Sequence, residues 1–379
     1  PLELSKGRPY YTGEDVIALN AGRYAITYAI EDAGWKKIYL PYWLCDTVKD
    51  AIHICLPDVE IGYYHIDDQL LPTDVTLYDQ EGILWVNYFG LQSELIIEHL
   101  VQQFHGQIII DNTQSFFTKP HPQAWQVYSC RKFFGVSDGS YVIHHNIRHR
   151  EIAERYSSIY SIHLLHSLER GTNYSYDLNK ENETRLGFCG PSAMSRLTSG
   201  ILSSVNYEQV QETRNKNLAA LHRILSPYNE FPVFRSAPAM SYPFLWKEKQ
   251  LKNALIQSKI YVPTLWTETL ENPGSSSWER YLSEHLCILP IDQRYDTSDM
   301  EYMLYPEVEH VDCTIMNERK IKVGALINIR GSLFEKQRLD IVKDVSQVEG
   351  IQKHRKEISF QDIVGIEKSE NVVRDTITV

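Results

Sequence analysis

The chain has 379 residues, 43% of them hydrophobic and 23% charged, with a formal net charge of −11. Such a chain is ordinary for a globular protein of two or three structural units with a large core, and its acidic balance without a basic run argues against nucleic acid as a main partner. No apolar run is long enough to span a bilayer, and the opening P-L-E-L-S-K-G-R holds no apolar signal-peptide core; the six scattered cysteines, without a C-x-x-C pair, speak against a zinc site and for reduced thiols in a cytoplasmic compartment.

Residues 1–20 read as an arm and an entry turn. Helical character starts near Ala21 and ends at Gly34. A glycine at a helix start leaves backbone N–H groups facing outward, which suits a phosphate. Gly22, Arg23 and Tyr24 are therefore a candidate phosphate cradle, with an ordinary helix start as the alternative. Lys37–Leu40 is a short strand closed by Pro41, and Tyr42 and Trp43 follow at once. Asp46 and Thr47 are candidate caps of a helix running to about Ile54. Val59–Ile66 and Gly82–Tyr88 read as strands, the second apolar enough to be buried on both faces. A helix follows over Glu94–Phe104. Gln107–Asp111, Q-I-I-I-D, is the clearest buried strand and ends in a carboxylate; Trp125–Ser129 and Ser140–His144 complete the set.

Strands alternating with helices specify an α/β fold with an open, mostly parallel sheet covered on both faces. Ligands in such sheets sit beyond the carboxyl ends of the strands. Asn87, Asp111 and the S-C-R-K turn, Ser129–Lys132, all fall at that edge. A lysine in that position, beside aromatics and another cation, loses its proton more readily than a surface lysine. That is what covalent catalysis by an amine requires.

A long amphipathic helix is expected from Arg148 to about His166, then an irregular polar cover over Gly171–Gly190, then helices over Ser192–Leu202 and Val205–Leu225. Beyond Pro227, short strands at Met240–Trp246 and Ile260–Pro263 and helices near Glu248–Ser258 and Ser298–Leu304 suggest a small α+β domain. The expected division is a large α/β domain over 1–225, a small α+β domain over 226–310, and an appended α+β module over 311–379 with a helix at Glu335–Val342.

Four segments in order carry a family resemblance: N-A-G-R-Y (Asn20–Tyr24), L-P-Y-W-L-C (Leu40–Cys45), I-D-N-T-Q-S (Ile110–Ser115) and S-C-R-K (Ser129–Lys132). Over residues 10–305 the chain resembles pyridoxal-phosphate enzymes of the aspartate-aminotransferase fold (fold type I), and among them the DegT/DnrJ/EryC1/StrS sugar aminotransferases. The resemblance implies pyridoxal 5'-phosphate as cofactor, with Lys132 as the Schiff-base lysine and acid–base group. Asp111 would sit against the pyridine nitrogen. It implies that Gly22, Arg23, Tyr24 and Ser129 hold the phosphate, that Gln114 reaches the ring oxygen, that Tyr42 or Trp43 stacks on the ring, and that Asn87 reaches the ring or the substrate. It further implies a small-molecule substrate, a nucleotide-linked keto sugar, with an amino-acid donor, in a homodimer. No metal is implied.

The chain departs from that family's pattern in three places. Arg23 stands where a small hydroxyl residue is usual, the serine-to-lysine spacing is shorter with Arg131 directly before Lys132, and the glycine run after the lysine is reduced to V-S-D-G-S. Two other readings of the same residues are a lyase or dehydratase using the same cofactor, and a binding protein on a degenerate form of the fold.

Overall fold

The computed structural model describes residue 4 and residues 7–231, 238–247, 250–257, 260–304, 357–359 and 376–378. Strand β1 (Val16–Leu19) leads into helix α1 (Gly22–Ala33), then β2 (Lys37–Pro41), α2 (Asp46–Cys55), β3 (Glu60–Ile66), β4 (Pro72–Thr73), β5 (Glu81–Val86) and α3 (Glu94–Gln103). Strands β6 (Ile108–Asn112), β7 (Trp125–Ser129) and β8 (Ser140–Ile143) follow, then α4 (Ile162–Arg170), α5 (Tyr176–Phe188), α6 (Arg196–Ser203) and α7 (Tyr207–Leu225). The smaller part holds β9 (Ser241–Leu245), α8 (Gln250–Gln257), α9 (Glu268–Glu271), α10 (Ser277–His285), β10 (Leu286–Pro290) and α11 (Thr297–Leu304).

The first eight strands make one sheet in the order β1-β8-β7-β6-β5-β2-β3-β4. Its centre is parallel: β2 with β3 and β5, β5 with β6, and β6 with β7, with Asp111 opposite Val86 and Val127. β8 closes this side antiparallel to β7, and β1 pairs antiparallel with β8. All residues of β6, β7 and β8 are buried, which is why those runs show little apolar–polar alternation. α1 is similarly enclosed. Its residues Tyr24–Ile30 are all buried, and the glycine expected to end it, Gly34, does so at φ 73°.

The two faces of the sheet carry separate cores. On one, α1 and α2 pack Ile26, Ala29, Ile30 and Ile52 against Ile38, Leu84, Ile109 and Val127. On the other, α3 and α7 join the β9–β10 pair in one cluster that includes Trp43, Trp85, Tyr88, Leu221, Phe244 and Ile288. The small part is thus anchored on the large sheet by apolar burial, the dominant favourable term in folding.

Several local expectations are corrected. β1 lies inside the segment read as an arm; its four residues are too short to register as a strand by themselves. No helix covers 148–157. Arg148 pairs with Asp32 and Arg150 with Glu31, the carbonyl of Arg148 accepts from the Tyr28 hydroxyl at 2.6 Å, and the carbonyl of Ala153 accepts from Ala193 N at 2.9 Å. These contacts with α1 and a distant loop hold the backbone extended, and the helix forms only at Ile162. Residues 176–188, expected to be irregular, are helical. α2 is capped at Cys45 without a side-chain bond, not by Asp46 or Thr47. Ile260–Pro263 is not a strand. Of the appended module, only an antiparallel pair, β11 (Glu357–Ser359) and β12 (Thr376–Thr378), is described; the expected helix at 335–342 lies outside the described residues. No helix among the described residues is long and apolar enough to cross a membrane.

Candidate active site

Because β5, β6 and β7 run parallel, their carboxyl ends meet at one edge of the sheet. Asp111 sits near the end of β6, 3% exposed, and its Oδ1 accepts from the Thr113 amide at 2.9 Å. Burial raises its pKa, opposed by the bonds to Thr113 and by the charge of Lys132. A carboxylate in this state is stabilised by any cation brought against it.

Lys132 follows β7 in a tight turn. The amides of Phe133 and Phe134 donate to Cys130 O at 3.1 and 2.9 Å, and the side chains of Cys130, Phe133 and Phe134 are buried in an aromatic cluster with Phe116, Tyr128 and Tyr141. Their burial leaves Lys132 facing outward. It is reachable by solvent, yet enclosed by enough protein that loss of hydration is the first cause of its lowered pKa. Both are true of a side chain on the floor of a concavity. Arg131 and Arg23 lower the pKa further, while Cys45 and Asp111 act in the opposite direction.

The start of α1 stands beside this lysine. A Cβ on Gly22 would lie 2.9 Å from Thr113 Cγ2 and 3.9 Å from Ser129 Cβ, so glycine alone lets the helix approach the ends of β6 and β7 this closely. The Gly22 and Arg23 amides have no hydrogen-bond partner among the described residues. They are the orphan donors of a helix N-terminus, next to the Ser129 side chain. Asn20 fixes the approach: it is fully buried, its Nδ2 donates to Gly190 O at 2.9 Å, and its carbonyl accepts from Gly139 N at 2.7 Å. Asp138 ties the far side of the lysine turn to α6 by accepting from Ser195 N at 3.0 Å, Ser195 Oγ at 2.8 Å and Thr198 Oγ1.

The structure thus brings together Gly22, Arg23, Asp111, Ser129 and Lys132. The other expected residues make the following contacts. The Tyr24 hydroxyl is committed to the end of α5, donating to Leu186 O at 2.9 Å and accepting from Gly190 N at 3.1 Å. Trp43 is fully buried, its Nε1 donating to Ser283 Oγ at 3.0 Å and its ring against Tyr88 and Trp266. The Tyr42 ring stacks on Tyr63 and His65. Asn87 is fully buried and donates to Asn112 Oδ1 at 2.9 Å. Gln114 Oε1 accepts from Phe89 N at 2.9 Å, holding Phe89 at φ 60°.

Three residues near the site were not singled out from sequence. Cys45, in the proline-led segment, lies close enough to Lys132 to act on its pKa. Glu183, on α5, forms an ion pair with Arg131. Burial and the guanidinium groups of Arg23 and Arg155 push Arg131 down to about 10, with the Asp138 carboxylate acting in the opposite direction, so Arg131 stays cationic at neutral pH. Gln293 Nε2 donates to Phe133 O at 2.7 Å and its Oε1 accepts from the buried Arg214 at 2.9 Å, linking the small part to the residue after Lys132. Cys45 lies within the quoted L-P-Y-W-L-C segment, at a position whose reach only the fold reveals.

No protein-family model matches the chain, and no curated protein sequence does. Solved structures do. A Bacillus cereus protein named as a PLP-dependent aminotransferase superposes with a TM-score of 0.53 at 13% identity, over 76% of this chain and 83% of its own. The aminotransferase from Psychrobacter cryohalolentis gives 0.49 at 11% identity, over 76% and 84%. A Streptococcus pneumoniae protein named as a sugar aminotransferase, in its PLP form, gives 0.48 at 11% identity, over 76% and 84%. The first superposition, with the observed sheet, shows the fold: that of the PLP-dependent transferases of fold type I.

Proposed function

We propose that the chain is a pyridoxal-phosphate-dependent aminotransferase whose amino acceptor is a nucleotide-linked keto sugar and whose donor is glutamate or a similar amino acid. The observation that carries this reading is the pairing, on adjacent strand ends, of a buried carboxylate, Asp111, with an accessible lysine of lowered pKa, Lys132. The shared fold with a protein named as a PLP-dependent aminotransferase supports it.

The residues present fit the cofactor. The free amides of Gly22 and Arg23 and the Ser129 hydroxyl suit its phosphate, and the missing Cβ at Gly22 keeps that cradle close to the strand ends. Asp111, whose ionised form is costly when unpartnered, gains from a protonated pyridine nitrogen and holds the proton there. Gln114 Nε2 is left for the ring oxygen, since Oε1 is already engaged. When bound through Lys132, the cofactor supplies an electron sink for bonds at the substrate's amine-bearing carbon. Lys132 would also be the group that moves the proton at that carbon, a task favoured by its lowered pKa.

We also propose a homodimer. Ile159, Ile162, Leu165 and Leu168 are 40% to 86% exposed on or beside α4, an apolar surface of the kind that marks association. Sedimentation of the full chain tests it, a monomer at micromolar concentration being the contrary result.

The cofactor reading is tested by an absorbance scan of the protein with added pyridoxal phosphate, before and after borohydride, with mass spectrometry of the reduced chain. The label is expected on Lys132 and absent in Lys132→Ala; a label that persists in that variant removes the assignment. Incubation with glutamate is expected to convert the bound cofactor to its amine form. No conversion by any amino acid would count against an aminotransferase.

A further inference from the structure

Between the first turn of α1, the exposed side of α2 and the last turns of α5 lies an open cavity of about 470 Å³. Its lining includes Arg23, Thr47, Asp50, His53, Thr184 and Phe188. Arg23 has two roles that separate in space. Its amide faces the cradle beside Ser129, but its guanidinium is carried along α5, with Nη1 3.5 Å from the position a Gly187 side chain would occupy, and lines the cavity.

Among the described residues, that guanidinium has no hydrogen bond or ion pair. The α5 carboxylate that shares the cavity lining with it, Glu183, is taken by Arg131. Arg23, Arg131 and Lys132 are close enough to act on one another as like charges, which costs energy unless an anion offsets it. Arg23 therefore brings to the cavity a cation without a hydrogen-bond or ion-pair partner among the described residues. The lining also offers Thr47 and Thr184 hydroxyls, the His53 ring and the Asp50 carboxylate for hydroxyl groups, the Phe188 ring, 80% exposed, for a C–H face, and the Glu183 carboxylate, whose charge is offset by Arg131.

We propose that this cavity binds a small hydroxylated anion, a sugar phosphate or a sugar acid, with the Arg23 guanidinium as its anion partner, outside the cradle formed by the Gly22 amide and Ser129. The volume is in the range of ligand pockets, roughly 300–1,000 Å³. Arginine is suited to the role because its planar fork meets phosphate and carboxylate oxygens in pairs.

The test is isothermal titration of the full-length protein with glucose 6-phosphate, gluconate, glucose and inorganic phosphate, each with and without saturating pyridoxal phosphate. At least one of the two acids is expected to bind, and to bind about tenfold or more tighter than glucose and than inorganic phosphate. The tighter of the two identifies the anionic group. Arg23→Gln is expected to weaken that acid at least about tenfold, equivalent to about 1.4 kcal/mol, and Arg23→Lys to retain part of the affinity. Glu183→Gln, which removes the ion-pair partner of Arg131 and a carboxylate from the lining, is expected to tighten it. The proposal is overturned if neither acid binds, if glucose binds as well as the acids, if Arg23→Gln changes nothing while its melting curve is native, if Glu183→Gln weakens the acid, or if pyridoxal phosphate displaces it. Failure of the cofactor reading shows separately, as absence of a reducible chromophore, and leaves these titrations interpretable.

Discussion

Gly22→Ala isolates the close approach on which the phosphate cradle depends. The added methyl would meet Thr113 Cγ2 at 2.9 Å, where apolar carbons settle at about 3.5–4.0 Å, so α1 or Thr113 must move by roughly half an ångström or more. Alanine is the better helix former by up to about 1 kcal/mol in a helix interior, and less in this first turn. Overpacking costs typically about 1–3 kcal/mol, so strain is the larger effect. It falls where the Gly22 and Arg23 amides face the strand ends, and if half or more of it appears in binding, pyridoxal phosphate affinity drops by about 3- to 100-fold. Absorbance titration of wild type and variant measures this, with thermal melts run in parallel. Thr113→Ser removes the opposing methyl and keeps the hydroxyl, so the double variant should regain most of the affinity, a coupling that contacting residues show and distant ones do not. The reasoning is refuted if Gly22→Ala melts higher than wild type and binds the cofactor equally well, or if Thr113→Ser fails to rescue it.

Asp111→Asn should leave the cofactor-free protein as stable as wild type or more so, because the folded pKa of Asp111 lies above its ordinary value and its charge costs stability at all pH above that value. The same variant should lower turnover; a clearly lower melting temperature without cofactor would show that the buried charge is instead well compensated. Arg214→Met removes a buried cation that donates to Gln293 Oε1 and to the carbonyls of Ala239 and Met240 and packs over Phe133. A loss on the order of 3 kcal/mol is expected in urea unfolding, and a loss of under about 0.5 kcal/mol would contradict it. His144, stacked on Trp125 with ring centroids 4.2 Å apart, is held down to about 4 by burial first and by His145 second. Its folded value lies below the unfolded one, so its contribution to stability is complete above about pH 6.5 and falls as the pH drops towards 4. His144→Phe keeps a ring on Trp125 and should flatten melting temperature against pH in that window; an unchanged slope would assign the dependence elsewhere.

Much of the large sheet was legible because its strands are short apolar runs punctuated by turn residues, and because β6 and β7 end in residues that would be costly to bury without a purpose. Gly34 ended α1 where a left-handed cap was needed. The segment from Arg148 misled because its apolar spacing fits a helix, while ion pairs to Asp32 and Glu31 and a bond to the Tyr28 hydroxyl hold it against α1 instead. The α5 helix was hidden for the opposite reason. Its residues are mostly polar, and its C-terminal turn is anchored by Tyr24, which lies far away in sequence.

The alternation of strands and helices, the order of the glycine turn, Asp111 and Lys132, and Arg23 at a position where the resembling family usually has a small hydroxyl residue could all be read from the chain alone. Local propensity and spacing carry that much. Tertiary structure decided which side chains face the site. Tyr42, Trp43 and Cys45 lie within four positions of the chain, yet the first stacks on β3, the second is sealed in the core, and Cys45 acts on the lysine. It also separated the amide of Arg23 from its guanidinium, and paired Arg131 with Glu183 across a sequence distance that no local pattern reports. Side-chain direction at a strand or helix end depends on what packs against it, and that is fixed only when the distant segments meet.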